Sequence, residues 1–319
     1  MRRRRFVSAL AALPGLALAQ ADFPNKALKI VVPQPPGGGF DFVGRVLADH
    51  LGRQLGQSVV VENRPGSGTL VGTDAVAKAA PDGYTLLVGS VSNMVLNSGL
   101  YANLPYDSQR DFEALGLAVT YSYTLMARKD LAVASLADLI RQAKAKPRSF
   151  TYASAGNGSG QHVIAAALWQ LAGVELVHVP YRGAQAAYQD VIGGRVDLFF
   201  DLAPTARVPI GAGQVQALAT SGAQRNPMHP ELPTVRESGV ELELESWFGL
   251  FAPARTPAPV LERLRADLAK VTASAEVQAV FTGGGGRPLP LAADATRMLL
   301  ARDLDRWTRL VRAAGIKAE

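Results

Sequence analysis

Cysteine is absent from all 319 residues. Without it the chain has no disulfide and no N-terminal cysteine for lipid attachment. Histidine is scarce too, and the four present, His50, His162, His178 and His229, lack the short spacings of a metal site. The common catalytic signatures are also missing: there is no G-x-S-x-G elbow and no GK(S/T) phosphate loop. Neither glycine-rich run completes G-x-G-x-x-G, because Phe42 and Gln161 stand where the last glycine belongs. These gaps argue against an enzyme, and an enzyme acting on a small acid is kept only as a rival class. No metal and no cofactor is expected.

Basic clusters are confined to the start of the chain. Arg2 to Arg5 precede an apolar stretch from Phe6 to Leu18, and small residues then recur at Ala17, Ala19 and Ala21. This pattern reads as an export signal, with cleavage expected near Ala21 or Ala19 and the periplasm as destination. The stretch has 13 residues and contains Pro14 and Gly15, against the roughly 20 residues that cross a bilayer. Arg3 to Phe6 fits the twin-arginine route and the general route equally. Losing those four arginines leaves 29 of the 33 Lys+Arg against 27 Asp+Glu, and the net charge drops from +6 to +2. No basic cluster with interleaved aromatics remains, which excludes nucleic acid as a partner.

The 298 residues after Ala21 are long for one hydrophobic core and suit two lobes. Apolar strands alternate with amphipathic helices throughout, the mark of βαβ units and a mainly parallel sheet. Val43, Val46, Leu47, Leu51 and Leu55 recur at helical spacing and Gly56 supplies a stop. Strands are read at Val59–Val61 and Tyr84–Gly89, with a helix at Leu70–Ala80 and a turn at Asn63–Gly68 between them. In the second half, Ser135 with Asp138 opens a helix. Strands at Phe150–Ala153, Leu176–Val179, Val196–Phe200 and Val215–Thr220 alternate with helices at Ser159–Ala172 and Ala184–Ile192. The strand Ser246–Ala252 carries the chain back to the first lobe, with Trp247 as core at the crossing. Two helices close the fold.

Twice a buried-type strand empties into a glycine-rich loop and then a helix. The first loop runs from Pro33 to Asp41 and the second from Gly156 to His162. A helix N-terminus exposes unpaired N–H groups at the positive end of its dipole, and glycine lets a carboxylate or phosphate approach them. Two such cradles in different lobes describe a cleft that closes on a small acid. Asp41 reads equally as a helix cap or a cleft residue. Ser90, Ser92 and Asn93 follow a strand, where open α/β sheets bind ligands, and read equally as turn formers. Tyr181 and Arg182 are candidates for ligand contact, and Asp201 for orienting a water or accepting from a ligand amine or hydroxyl. His162 reads as a helix-face residue.

Seven strings then appear in one order: VVPQPPGGGFD, VVVENRPGSG, AVAKAAPDGYTLLVG, TYASAGNGSGQH, HVPYRG, LPTVRESG and SWFGLFAP. Together they resemble the Bug family, the periplasmic solute-binding proteins of tripartite tricarboxylate transporters, over about Pro24 to Gly315. The resemblance implies a type II periplasmic-binding-protein fold, with two α/β lobes joined by crossover strands. It puts lobe 1 at residues 22–122 plus 246–319 and lobe 2 at 123–245. It implies a monomer that hands a small carboxylic acid to integral membrane transporter subunits. The acid would be held by main-chain N–H groups and ordered waters within two loops, one formed by Pro36, Gly37, Gly38, Gly39, Phe40 and Asp41 and the other by Ser154, Ala155, Gly156, Asn157, Gly158 and Ser159. The family usually has a small hydroxyl residue where this chain has Phe40. A ring there offers stacking to a planar ligand and favours an aromatic or extended acid, a dicarboxylate included. A ligand sensor for a membrane histidine kinase shares all these features and stands as the second reading.

Overall fold

The computed structural model describes residues 23–313 and Ile316, so the export-signal reading lies outside the described residues. Chain order begins with β1 (Leu28–Val32), α1 (Gly39–Leu55), β2 (Val59–Asn63), α2 (Leu70–Ala77) and β3 (Thr85–Ser90). β1 lies between β2 and β3 and pairs with both in parallel. α1 buries the stripe Val43, Leu47, Leu51 and Leu55 against these strands. It stops at Gly56, whose φ of 67° is a left-handed conformation that suits glycine. A π-helical turn, Ser92–Leu96, and the short α3 (Asn97–Leu100) follow β3.

β4 (Phe112–Arg128) is the longest strand among the described residues, at 17 residues. The second half then runs α4 (Leu136–Ala145), β5 (Thr151–Ser154), α5 (Gly160–Leu171), β6 (Val177–Pro180), α6 (Ala184–Ile192), β7 (Leu198–Leu202), α7 (Ala203–Gly211) and β8 (Val215–Thr220). β5 pairs in parallel with β6 and β7. β9 (Glu245–Pro253), α8 (Ala258–Ala273), α9 (Ala275–Gly283), β10 (Arg287–Pro288) and α10 (Ala293–Ala313) return to the first half.

Strand order is β2-β1-β3-β9-β4-β7-β5-β6, with β8 and β10 also on β4. Residues Phe112–Ser122 of β4 pair antiparallel with β9, and Tyr123–Ala127 pair antiparallel with β7. Each half therefore keeps a parallel core, and the strands that cross between halves run antiparallel to it. Almost every residue of β4 is buried, so its apolar run shows no alternation. Trp247, 4% exposed, donates from Nε1 to Asp303 at 2.9 Å and packs in the core as expected. Among the described residues no helix is long and apolar enough to cross a membrane.

Candidate functional site

The first glycine loop links β1 to α1, and its geometry is set by Asp41. That carboxylate, 5% exposed, accepts from Gly37 N at 3.0 Å, Arg45 Nε at 2.9 Å and Asn63 Nδ2 at 2.9 Å. Burial works to raise its pKa, but the bonds from Arg45, Gly37 and Asn63 outweigh it and hold the carboxyl below its ordinary value. Asp41 is thus a brace, and it consumes the Gly37 N–H. Beyond it, no acceptor among the described residues receives the N–H of Gly38, Gly39, Phe40 or Asp41, and no side chain caps α1. Gly38 is the open point, since only Gln34 Oε1, at 3.6 Å, lies near where a Cβ would stand. Pro36 and Gly37 are exposed at the tip.

Phe40 corrects one expectation. Its ring is 2% exposed and packs edge-on against Phe248 at 5.1 Å, so it serves the core and is not free to stack on a ligand.

The second loop links β5 to α5 and spends four of its donors on itself, while the N–H groups of Asn157, Gly160 and Gln161 meet no acceptor among the described residues. Gly156 N donates to Ser154 Oγ, Gly158 N to His162 Nδ1, Ser159 N to Gly156 O, and His162 N to the capping Ser159 Oγ. His162 and His178, far apart in sequence, stack at 4.2 Å with an interplanar angle of 5°. Tyr152 stacks on the outer face of His178 at 4.9 Å. His178 Nε2 meets Ser154 Oγ at 2.7 Å. Burial pushes the His162 pKa down to about 4, and burial together with His162 pushes His178 to about 3. Both rings stay neutral at neutral pH, which Nδ1 of His162 needs in order to accept.

The two halves meet at these loops. Gln185 Nε2 of α6 donates to Gly37 O at 2.8 Å. A Cβ on Gly183 would stand 2.8 Å from Pro35, and one on Gly68 would stand 2.5 Å from the carbonyl oxygen of Asn157. Between them lies a cavity of about 580 Å³, lined by Pro35, Ser67 and Tyr101 from the first half and by Asn157, Tyr181 and Arg182 from the second. That volume is in the range of small-molecule sites. Ala155 and Gly156 complete its wall, and Arg182 is its one charged lining residue. Among the described residues Arg182 has no carboxylate partner. Tyr181 is fixed by its hydroxyl donating to Asp190 at 2.6 Å.

Asp201 does not reach the cavity, which corrects its reading as a cleft acceptor. It is fully buried and takes hydrogen bonds from Gln161, Tyr188 and Thr205, joining α5, α6 and α7. Burial raises its pKa against those donors. Ser90 and Asn93 also turn inward: Asn93 Oδ1 accepts from Ser90 N at 2.8 Å, and its Nδ2 donates to Thr73 and Val88. Ser92 is buried, and its Oγ has no partner. None of the three lines the cavity, so the turn-forming reading describes them.

The residues missed are Pro65, Gly66, Ser67 and Gly68, together with Tyr101, whose hydroxyl donates to Ser67 O at 3.0 Å. The signal was present: NRPGSG follows β2 at the carboxyl end of a parallel strand, the place that singled out the other loops.

Comparison with known proteins now decides the family. Residues 43–316 match the family described as "Tripartite tricarboxylate transporter family receptor". The chain belongs to that family. Protein BugT of Bordetella pertussis is 33% identical over 297 residues, covering 92% of this chain and 91% of that one. The structure of R. palustris Rpa4515 with adipate superposes with a TM-score of 0.89 at 31% identity, covering 93% of this chain and 99% of that one. MatC of Rhodopseudomonas palustris with bound malate gives 0.86 at 30% identity, covering 91% and 100%. The receptor's fold is the two-lobed one of these binding proteins, and its relatives are solute receptors rather than enzymes.

Proposed function

We propose that this receptor captures a small carboxylic acid, an extended dicarboxylate in particular, between its lobes in the periplasm and delivers it to a tripartite tricarboxylate-type membrane permease. The observation that carries the reading is the unspent row of N–H groups at the start of α1, where Gly37, Gly38 and Asp41 line a cavity of about 430 Å³ with Gln185 of the other half, separate from the 580 Å³ cavity that holds Arg182. A carboxylate is the ligand that such donors favour. Relatives solved with adipate and with malate support the same ligand class. The lobe limits are taken as 22–122 plus 246–319 and 123–245, because β4 changes partner between Ser122 and Tyr123. The receptor acts as a monomer after removal of residues 1–21.

A thermal-shift series of the processed chain with C4 to C8 dicarboxylates tests this. A ligand that binds only the folded state stabilises it by RT ln(1 + [L]/Kd), so one or more acids should raise the midpoint while their neutral diamides do not. No shift with any acid at millimolar concentration would remove the reading.

A further inference from the structure

Gln34 stands in the first glycine loop, 4% exposed, and its Nε2 has no hydrogen-bond partner. A buried donor left unmade is costly, so an orphan of this kind calls for an acceptor that arrives from outside the chain. Its position says where that acceptor sits. The carboxamide lies against Gly38, with Oε1 3.6 Å from the place a Cβ would take. Half a turn about the last side-chain bond brings the N–H₂ group to that same spot, and in that orientation it donates to an acceptor at the start of α1. The backbone beneath it is fixed, because Asn63 Nδ2 donates both to Gln34 O at 3.0 Å and to Asp41 Oδ1 at 2.9 Å.

We propose that Gln34 is a specificity-determining side chain that donates to the ligand carboxylate at the start of α1, alongside the free N–H groups of Gly38 to Asp41; this rests on the carboxylate-receptor reading above. A carboxylate accepts at about four sites, more than one or two main-chain donors fill. The neighbouring Asp41 carboxylate is already spent on three donors and tied to Arg45, so it neither competes for Gln34 nor leaves a free positive charge there. Gln34 therefore supplies a neutral donor, and the selectivity of the cradle for a carboxylate over a carboxamide depends on it.

The test is calorimetric titration of wild type, Gln34→Met and Gln34→Glu, all checked for equal unfolding midpoints. The probes are the tightest binder from succinate to suberate and the monoamide of that acid. Gln34→Met should weaken the diacid roughly tenfold, the loss of one hydrogen bond to a charged group. Gln34→Glu should weaken it further and shift the diacid-to-monoamide affinity ratio at least tenfold toward the monoamide, whose N–H₂ can donate to the new carboxylate. A merely structural role for Gln34 would leave that ratio unmoved. Wild type that binds a diacid, with both variants within twofold of it and the ratio unchanged, overturns the proposal and leaves the receptor reading intact. Wild type that binds no diacid overturns the receptor reading and the proposal with it. If the glutamate variant does not fold, the methionine variant decides by the same tenfold and twofold limits.

Discussion

In the loop before α1 the consecutive N–H groups of Gly38 to Asp41 meet no acceptor, whereas in the loop before α5 those of Gly156, Gly158, Ser159 and His162 are taken up by its own side chains and carbonyls and only the interrupted set Asn157, Gly160 and Gln161 stays open. Both loops are glycine-rich, both follow a parallel strand and both open a helix. Glycine lets a ligand approach the backbone, but an anion cradle also needs donors that nothing else has claimed. The first loop is built to bind. The second is a preshaped wall that closes on Gly68 of the opposite lobe and forms one side of the cavity.

The division of labour breaks most visibly at Gly68. Its φ of 73° disfavours a side chain, and a Cβ would press the Asn157 carbonyl at 2.5 Å. In Gly68→Ala the lobes should fail to close, and the apparent affinity for a diacid should fall on the order of a hundredfold, since only molecules able to close bind tightly. Small-angle scattering should show the contraction of wild type on adding the acid and none in the variant. Full contraction with unchanged affinity would deny the second loop its role as a wall.

Acid loosens the second loop next. His162 and His178 have pKa values held near 4 and 3, below the ordinary 6.5, so the unfolded chain binds protons first as pH falls. Stability is complete above about pH 6.5 and is lost between there and about pH 4 for His162 and about pH 3 for His178, by about 2 kcal/mol per histidine at pH 5. Urea unfolding at pH 7, 6 and 5 checks this. His162→Gln, whose amide oxygen can still accept from Gly158, should flatten the fall. A stability equal at pH 7 and pH 5 in wild type contradicts neutral, stacked rings.

The smallest effect belongs to Arg182. Exposed at the cavity rim, its guanidinium is worth under about 1 kcal/mol to a bound acid, so Arg182→Gln should weaken binding by about fivefold or less in calorimetry. A hundredfold loss would move the anion site away from α1 to this rim.

Much of the fold was legible because helical stripes and strand–glycine–helix junctions are local signals. The strand Val215–Thr220 and the helix Ala184–Ile192 stand where their sequence places them. β4 shows in the sequence only as the lobe boundary at residues 122 and 123, because a strand buried on both faces shows no alternation. In the site, the two cradles were visible but their difference was not. It depends on His178, which reaches Ser154 across β6 and β5, and on Asn63, which reaches Asp41 from β2. Phe40 and Asp201 were misjudged for a related reason: the partners that claim them, Phe248, Tyr188 and Thr205, come from other elements.

The most direct test of the account is calorimetric titration of Gly38→Val with the diacid that binds wild type best. At a φ of −95°, with only Gln34 Oε1 nearby, the new side chain is unstrained, so folding stability should stay within about 1 kcal/mol of wild type. Its branched carbons would occupy the approach to the free N–H groups, and the affinity should fall between about tenfold and a hundredfold as charge-assisted hydrogen bonds are lost. A folded Gly38→Val that binds the acid as wild type does would contradict the claim that the start of α1 holds the carboxylate.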